Sequence, residues 1–132
     1  MASYRIKGKL CTPRQAISLF NLGNPHNTCI IFKYEDESEY EKKYLFPGDA
    51  SIKAFNRIIN NGGCLKSEIL KQPHHGSKNN FSKKILNSIS PDISVVSYGV
   101  PNKYRHPHPA VIGLLNQNNV RIYHTLNGTI NL

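Results

Sequence analysis

The chain has 132 residues, the length of one domain, and its 39% apolar and 19% charged residues provide a modest hydrophobic core and exclude disorder throughout. A formal net charge of +9 predicts attraction to polyanions such as nucleic acid or anionic phospholipid, although a basic protein without such a partner would carry the same charge. Three widely spaced cysteines without a CxxC pair exclude a thiolate zinc ribbon and indicate a reducing compartment.

The N-terminal segment predicts a strand at residues 4–10, a short helix at residues 13–20 and a turn at residues 21–27. Its charges stand where a signal peptide would need an apolar segment, and no run of about 18 apolar residues follows that could span a bilayer. We therefore expect a soluble, cytoplasmic chain with no membrane segment. Because no linker interrupts the sequence, residues 1–132 are predicted to form one domain.

Two apolar runs, at residues 28–32 and 44–49, predict strands, and the polar run at residues 33–44 predicts the solvated hairpin loop that joins them. The apolar period then changes to that of a helix, with Ser51 as its N-cap and the Asn-Asn-Gly-Gly cluster at residues 60–63 as its end. This change of period indicates the start of an α/β region.

Strands and helices alternate from this helix to the C-terminus, which is typical of a sheet with helices packed on it. The predicted elements are a strand at 67–73, a helix at 80–89, a strand at 92–99, a helix at 107–119, a strand at 120–125, and a turn at 126–129 before a last short strand. The predicted fold class is therefore α/β.

Asp49 is the first candidate for chemistry, because it follows the apolar Tyr-Leu-Phe run and directly precedes the predicted helix. A carboxylate at this position could simply cap the helix, where exposed amides and the dipole stabilise it by about 0.5–2 kcal/mol. It could equally be a hard oxygen ligand that bridges two metal ions. The residue alone does not decide between these interpretations.

The second candidate is the sequence Pro-His-His-Gly-Ser at residues 73–77, where the predicted strand ends. Neutral imidazole is the commonest protein ligand for zinc. Because neighbouring strand residues point to opposite sides, one of His74 and His75 would bind an ion while the other contacts substrate or supports the ligand. A polar loop is the alternative. Gly76 allows a tight turn, and Ser77 can cap the next loop.

The third candidate is the proline-rich stretch at residues 99–109, which follows a valine-rich strand. Asn102, Arg105 and His106 offer donors to an anionic group, and the prolines stiffen the segment. His106 and His108 have the spacing of a two-histidine metal motif, but no carboxylate or further histidine follows them. We therefore favour phosphate or substrate contact over metal binding, with a purely structural loop as the alternative.

The order and spacing of these clusters over about residues 24–132 resemble the C-terminal half of a metallo-β-lactamase-fold domain. The Gly-Asp, His-His-Gly-Ser and Tyr-Arg-His-Pro motifs are similar to the branch found as the soluble domain of the bacterial competence DNA-uptake channel protein and its stand-alone relatives. The resemblance implies a partial αββα sandwich with two metal ions, zinc or manganese, that activate water to hydrolyse a phosphoester.

Carried onto this sequence, the resemblance implies Asp49 and His75 as metal ligands and His74 and His106 as catalytic residues. It implies substrate contacts from Ser77, Asn102, Arg105 and His106. A one-residue slip in strand phase would exchange the roles of His74 and His75.

The HxHxDH motif of the family's N-terminal half is absent from the 132 residues. The sequence therefore predicts a hydrolase fragment that is inactive or weak alone, and a complementary chain carrying HxHxDH as its partner. Such a fragment would expose the face of its sheet that the missing half normally covers. The alternative is a non-catalytic basic remnant that binds nucleic acid or a protein partner, and a third possibility is a chain with no function as a separate product.

Overall fold

A computed structural model describes residues 4–6, 9–11, 16–20, 29–35 and 41–132 of the chain, with side chains from Lys42 onward. The strands are β1 Tyr4–Ile6, β2 Lys9–Cys11, β3 Ala16–Phe20, β4 Cys29–Glu35, β5 Glu41–Phe46, β6 Ile69–Lys71, β7 Ile93–Val96 and β8 Arg121–His124. The helices are α1 Ile52–Asn60, α2 Lys83–Ile89 and α3 Pro109–Gln117, and Pro73–Gly76 and Thr125–Asn127 form single 3-10 turns.

The described strands other than the β1–β2 hairpin form one sheet in the order β3-β4-β5-β6-β7-β8. Pairing is antiparallel from β3 to β5 and parallel from β5 to β8. The four parallel strands follow one another in the chain, with one helix between each pair. The predicted α/β class is therefore confirmed.

The three helices cover one face of the parallel strands. Parallel crossovers are almost always right-handed, so strands that are added in one direction place their helices on the same side. The buried core accordingly combines side chains of all three helices with Leu45 of β5 and Leu70 of β6. Contributing helical residues include Phe55, Ile58, Ile85, Ile89, Val111 and Leu115. This arrangement leaves the carboxyl ends of β5 to β8 at one shared edge of the sheet.

Helix α1 confirms its predicted start. The Ser51 side chain accepts a hydrogen bond from the Ala54 backbone amide at 3.1 Å. Phe55 and Ile58 are buried on the face that the apolar period predicted. Asp49 is therefore not the N-cap of this helix.

Four predictions about secondary structure are wrong. The first is the single strand at residues 4–10, because Tyr4–Ile6 and Lys9–Cys11 are separate strands that pair antiparallel with each other. The polar run at 33–44 is mostly strand, because β4 and β5 continue their ladder out to the pair Glu35 and Glu41; residues 36–40 lie outside the described part. The predicted helix at 13–20 contains strand β3, since pairing with β4 outweighs the helical preference of a short apolar run. No strand forms after Gly128. The predicted turn at 21–27 also lies outside the described residues.

None of the helices in the described ranges combines the length and the apolar character needed to cross a bilayer.

Candidate functional site

The candidate residues lie where the parallel strands end. Asp49 follows β5, His74 and His75 follow β6, and His106 lies in the loop after β7. In open α/β sheets, ligands bind outside the carboxyl ends of the strands. The topology therefore brings together side chains that are up to 57 positions apart in sequence.

The two adjacent histidines stand in an unusual turn. His74 has φ 44° and ψ 49°, and His75 has φ 58° and ψ 23°, so both adopt the left-handed conformation. Such strain in non-glycine residues is concentrated at functional sites. The His74 amide donates to the Gly48 carbonyl at 3.0 Å, which ties this turn to the one that holds Asp49.

This turn corrects the prediction that strand alternation separates the two histidines. Strand β6 ends at Lys71, so His74 and His75 are not strand residues. Their ring centroids lie 6.1 Å apart. Both rings can therefore serve the same site.

Gly76 allows the loops after β6 and β7 to touch. A Cβ atom at this position would lie 2.6 Å from the Cβ of Pro107, and the residue has φ 87°. The Gly76 carbonyl also accepts from the His108 amide at 3.0 Å. Glycine is therefore required here both by close approach and by backbone conformation.

Hydrogen bonding fixes the tautomer of His74. The Asn80 side-chain amide donates to the carbonyls of Asp49 and Ala50, both at 3.1 Å, which identifies its nitrogen. The remaining Asn80 Oδ1 can only accept, and it lies 3.1 Å from His74 Nδ1. His74 Nδ1 therefore carries the proton, and the lone pair of the neutral ring is on Nε2.

His75 has the same tautomer for a similar reason. Its Nδ1 lies 2.6 Å from the Ser97 carbonyl oxygen, which can only accept. Metal-binding histidines characteristically donate one ring N–H to a carbonyl or carboxylate in this way, which orients the other nitrogen. His74 and His75 are thus both prepared as Nε2 donors.

His108 has the opposite tautomer. Its Nδ1 accepts from the Lys78 backbone amide at 2.9 Å, so this lone pair is already used. In the neutral ring the proton is then on Nε2. This bond joins the two loops and supports the prediction that the His106–His108 pair is not a metal motif.

His106 lies among the other rings. Its centroid is 5.3 Å from that of His74 and 4.7 Å from that of His108. Burial lowers the pKa of His106 below 6.5, and the neighbouring imidazoles of His108, His74 and His75 lower it further. The ring is therefore neutral at pH 7 and can accept or donate a hydrogen bond.

Asp49 is exposed, and its charge acts on Lys71. Burial lowers the pKa of the half-buried Lys71 ammonium below its ordinary value of 10.5, and the Asp49 carboxylate opposes this shift. The ammonium also donates to the Gln72 carbonyl at 2.9 Å. Asp49 thus lies in a site that already contains one positive charge.

Two predicted substrate contacts are used within the protein. The Asn102 amide donates to the Gly99 and His106 carbonyls at 2.8 and 3.0 Å, and its Oδ1 accepts from the His106 amide. Ser77 is 2% exposed, and its hydroxyl accepts from the Asn79 amide. This geometry favours structural roles for both residues. Arg105 is exposed and remains a candidate for substrate contact.

The donor chemistry of His74, His75 and Asp49 suits zinc or manganese. Among the side chains from residue 42 onward, however, no group of three His, Cys, Asp or Glu residues is placed to hold one ion. A catalytic zinc generally has three protein ligands. The described residues therefore do not complete a metal site by themselves.

Comparison with known proteins shows which proteins this chain is similar to in sequence. No protein-family model matches the chain. It is 32% identical over 88 residues to ComE operon protein 3 of Bacillus subtilis, covering 66% of the chain. It is 39% identical over 80 residues to competence protein ComA of Neisseria gonorrhoeae, covering 60%. It is 29% identical over 107 residues to recombination protein 2 of Haemophilus influenzae, covering 74%.

The chain is similar to competence and recombination proteins.

The chain spans only 11–13% of the length of these relatives. The likeness to competence proteins agrees with the competence branch that the sequence motifs suggested.

Sequence reasoning missed the residues that orient the histidines. These partners are Asn80, the Ser97 carbonyl and the Lys78 amide. Each lies 6 to 30 positions in sequence from the histidine to which it is bonded. A backbone carbonyl leaves no signal in sequence. The asparagine pair after the histidine motif was the available signal, and only the fold shows that Asn80 is buried.

Proposed function

We propose that this chain is part of a metal-dependent hydrolase of the metallo-β-lactamase type that acts on nucleic acid in DNA uptake or recombination. The observation that carries the proposal is the pair His74 and His75, each with Nδ1–H bonded to the protein and Nε2 left as a donor. Their position at the carboxyl edge beside Asp49 and the similarity to competence proteins support it. One sheet covered by helices on one face agrees with half of an αββα sandwich.

In this proposal Asp49 and His75 are metal ligands, and His74 is the adjacent donor. When bound, the ions would polarise a phosphoryl oxygen and lower the pKa of water. Arg105 would hold the anionic substrate, since guanidinium matches phosphate geometry. His106 is neutral at pH 7 and could accept or donate a proton beside the substrate.

The site requires further ligands. The 132 residues contain no HxHxDH, and the described side chains offer no converging group of three. We propose that a complementary chain or segment carrying HxHxDH provides the others. Hydrolysis by these 132 residues alone should therefore be weak or absent.

Metal titration of the 132-residue chain tests the assignment. Zinc and manganese should bind weakly, and His75→Ala and Asp49→Ala should each reduce the affinity by about tenfold or more. Asp92→Ala is the matched control, because Asp92 is an exposed aspartate that precedes β7 and lies at the opposite, amino end of the strands. Equal affinity of wild type, His75→Ala and Asp49→Ala, measured by calorimetry, would show that the metal assignment is wrong.

A second candidate function is non-catalytic binding of nucleic acid. Residues 42–132 contain 12 lysines and arginines against three acidic residues, whereas residues 1–41 contain five of each, so the whole net charge of +9 lies in residues 42–132. This candidate predicts binding that persists in a chelator and weakens steeply with salt, because condensed counterions are released. Hydrolysis in the presence of the complementary segment would favour the first candidate instead.

A further inference from the structure

A pocket lined by aromatic rings opens beside the candidate metal site. It has a volume of about 360 Å³ and is lined by His75, Tyr98, Tyr104 and His106, with Ser97 and Gly99 between them. We call it the ring pocket. Its volume falls in the range of ~300–1,000 Å³ typical of small-ligand sites.

Three of the rings lie nearly parallel. The Tyr104 and His106 planes differ by 22° with centroids 5.7 Å apart, and the His75 and His106 planes differ by 24° with centroids 6.4 Å apart. Tyr104 is 61% exposed, which is unusual for a large aromatic residue. An exposed aromatic ring such as that of Tyr104 is suited to stacking on another flat ring.

One polar atom in each of two pocket residues is already bonded to the protein. Tyr98 Oη lies 2.9 Å from His124 Nδ1, and His75 Nδ1 donates to the Ser97 carbonyl. These bonds hold the rings before a ligand arrives, which lowers the entropy cost of binding.

Basic residues lie on the two loops that carry the ring pocket. The Lys103 ammonium lies 4.9 Å from the centroid of the Tyr104 ring, and exposed Arg105 follows Tyr104 in the chain. Exposed Lys78 stands on the facing loop, whose backbone is bonded to His108. A ligand that combines a flat ring with phosphate matches this arrangement.

Among nucleic acids, the ring pocket fits single strands. A base within a duplex is stacked on both faces and paired at its edge, so only an unpaired base can enter such a pocket. Non-sequence-specific single-strand binding proteins combine aromatic stacking platforms with basic residues that follow the backbone.

We propose that the ring pocket binds one base of a single-stranded nucleic acid, with Tyr104 as a stacking residue and Lys103 and Arg105 next to the backbone phosphates. The inference rests on the proposed nucleic-acid substrate, and it places the strand next to His75 and His106. It does not require that the chain hydrolyse the strand.

Fluorescence anisotropy with the 132-residue chain in a chelator tests this proposal. The probes are labelled single strands of about 12 nucleotides, in deoxyribose and ribose forms, an abasic strand of the same length, and a duplex. Tyr104→Leu removes the ring, whereas Tyr104→Phe retains it. Leu126→Ala, at another exposed apolar residue, is the control for nonspecific effects.

Tyr104→Leu should weaken binding of a base-containing single strand about tenfold, and Tyr104→Phe should restore it. Binding of the abasic strand and of the duplex should change less than twofold. If Tyr104→Leu weakens binding of base-containing and abasic strands equally, the proposal is overturned. It is also overturned if Tyr104→Leu weakens binding of neither the deoxyribose nor the ribose strand. Circular dichroism of Tyr104→Leu excludes unfolding as the cause.

These outcomes are separate from those for the metal assignment. If His75→Ala leaves metal binding unchanged while Tyr104→Leu selectively weakens single-strand binding, the hydrolase proposal fails and the ring pocket remains. If metal binding depends on His75 and Tyr104→Leu has no effect on any strand, the ring pocket is wrong and the metal site remains.

Discussion

At the scale of single residues, the chemistry of the candidate site depends on what each histidine ring nitrogen is bonded to. His74 and His75 donate through Nδ1, whereas His108 accepts through Nδ1. Three histidines that look alike in sequence are therefore divided into two candidate ligands and one structural link. Asn80 makes this division possible, because its buried amide connects His74 to the Asp49 turn.

Replacing Asn80 should affect both stability and the His74 ring. Asn80→Ala leaves two backbone carbonyls and one ring N–H without a partner, so we expect a loss of about 2–3 kcal/mol in the free energy of unfolding. Asn79→Ala is the matched control, since Asn79 is exposed and should cost less than about 0.5 kcal/mol. Urea unfolding measures the difference, and nitrogen NMR of His74 should show loss of the single tautomer. A cost equal to that of Asn79→Ala would contradict this role.

The titration of His106 gives a prediction at the same scale. Its pKa is lowered in the folded metal-free chain, so the unfolded chain binds the proton more readily. The contribution of His106 to stability should therefore be complete above pH 6.5 and decrease as the pH falls from that value through the folded pKa. NMR titration of the imidazole should give a midpoint below 6.5. A midpoint at or above that value would show that burial does not disfavour the charged ring.

At the scale of elements, the site is assembled by turns that follow the strands. Strands β6 and β7 have three and four residues, and their parallel pairing aligns the two loops that follow them. Contact between these loops depends on Gly76, which lies against Pro107. The loop that carries His106 is held internally by Asn102.

Two glycine substitutions should therefore have opposite effects. Gly76→Ala places a methyl group 2.6 Å from Pro107 Cβ at a positive φ, so we expect a loss of about 2–3 kcal/mol. Gly113→Ala lies within α3 with no atom near the added methyl, so it should gain about 0.5–1 kcal/mol. Thermal unfolding compares the two variants. A neutral Gly76→Ala would mean that the loops are not in close contact.

At the scale of the whole molecule, one face of the parallel strands is covered by helices, and the net positive charge lies in the same part of the chain. The proposed function adds a metal ion that binds at the carboxyl edge of this folded sheet. Anything that binds only the folded state stabilises it by mass action.

Zinc or manganese should consequently raise the unfolding temperature of the chain. At a concentration about 100 times the dissociation constant the gain is about 2.7 kcal/mol, and it should disappear when a chelator is added. In His75→Ala the gain at the same metal concentration should fall to about 1.4 kcal/mol or less, because the affinity is reduced by about tenfold or more. Calorimetric scans at several metal concentrations measure this, and the same response in wild type and His75→Ala would mean that the ion binds elsewhere.

Local sequence determined the α/β class, the three helices and the C-terminal parallel strands, because apolar period and capping residues such as Ser51 act over a few neighbours. It also selected Asp49, His74, His75 and His106 as residues of interest. Only the tertiary structure decided that residues 16–20 form a strand, that Asn102 and Ser77 are used internally, and which histidines keep Nε2 as a donor. The strand at residues 16–20 and the tautomer of His75 depend on partners from other segments, which the fold brings next to them. The bonds of Asn102 and Ser77 are local, but they require loop conformations that local sequence does not define.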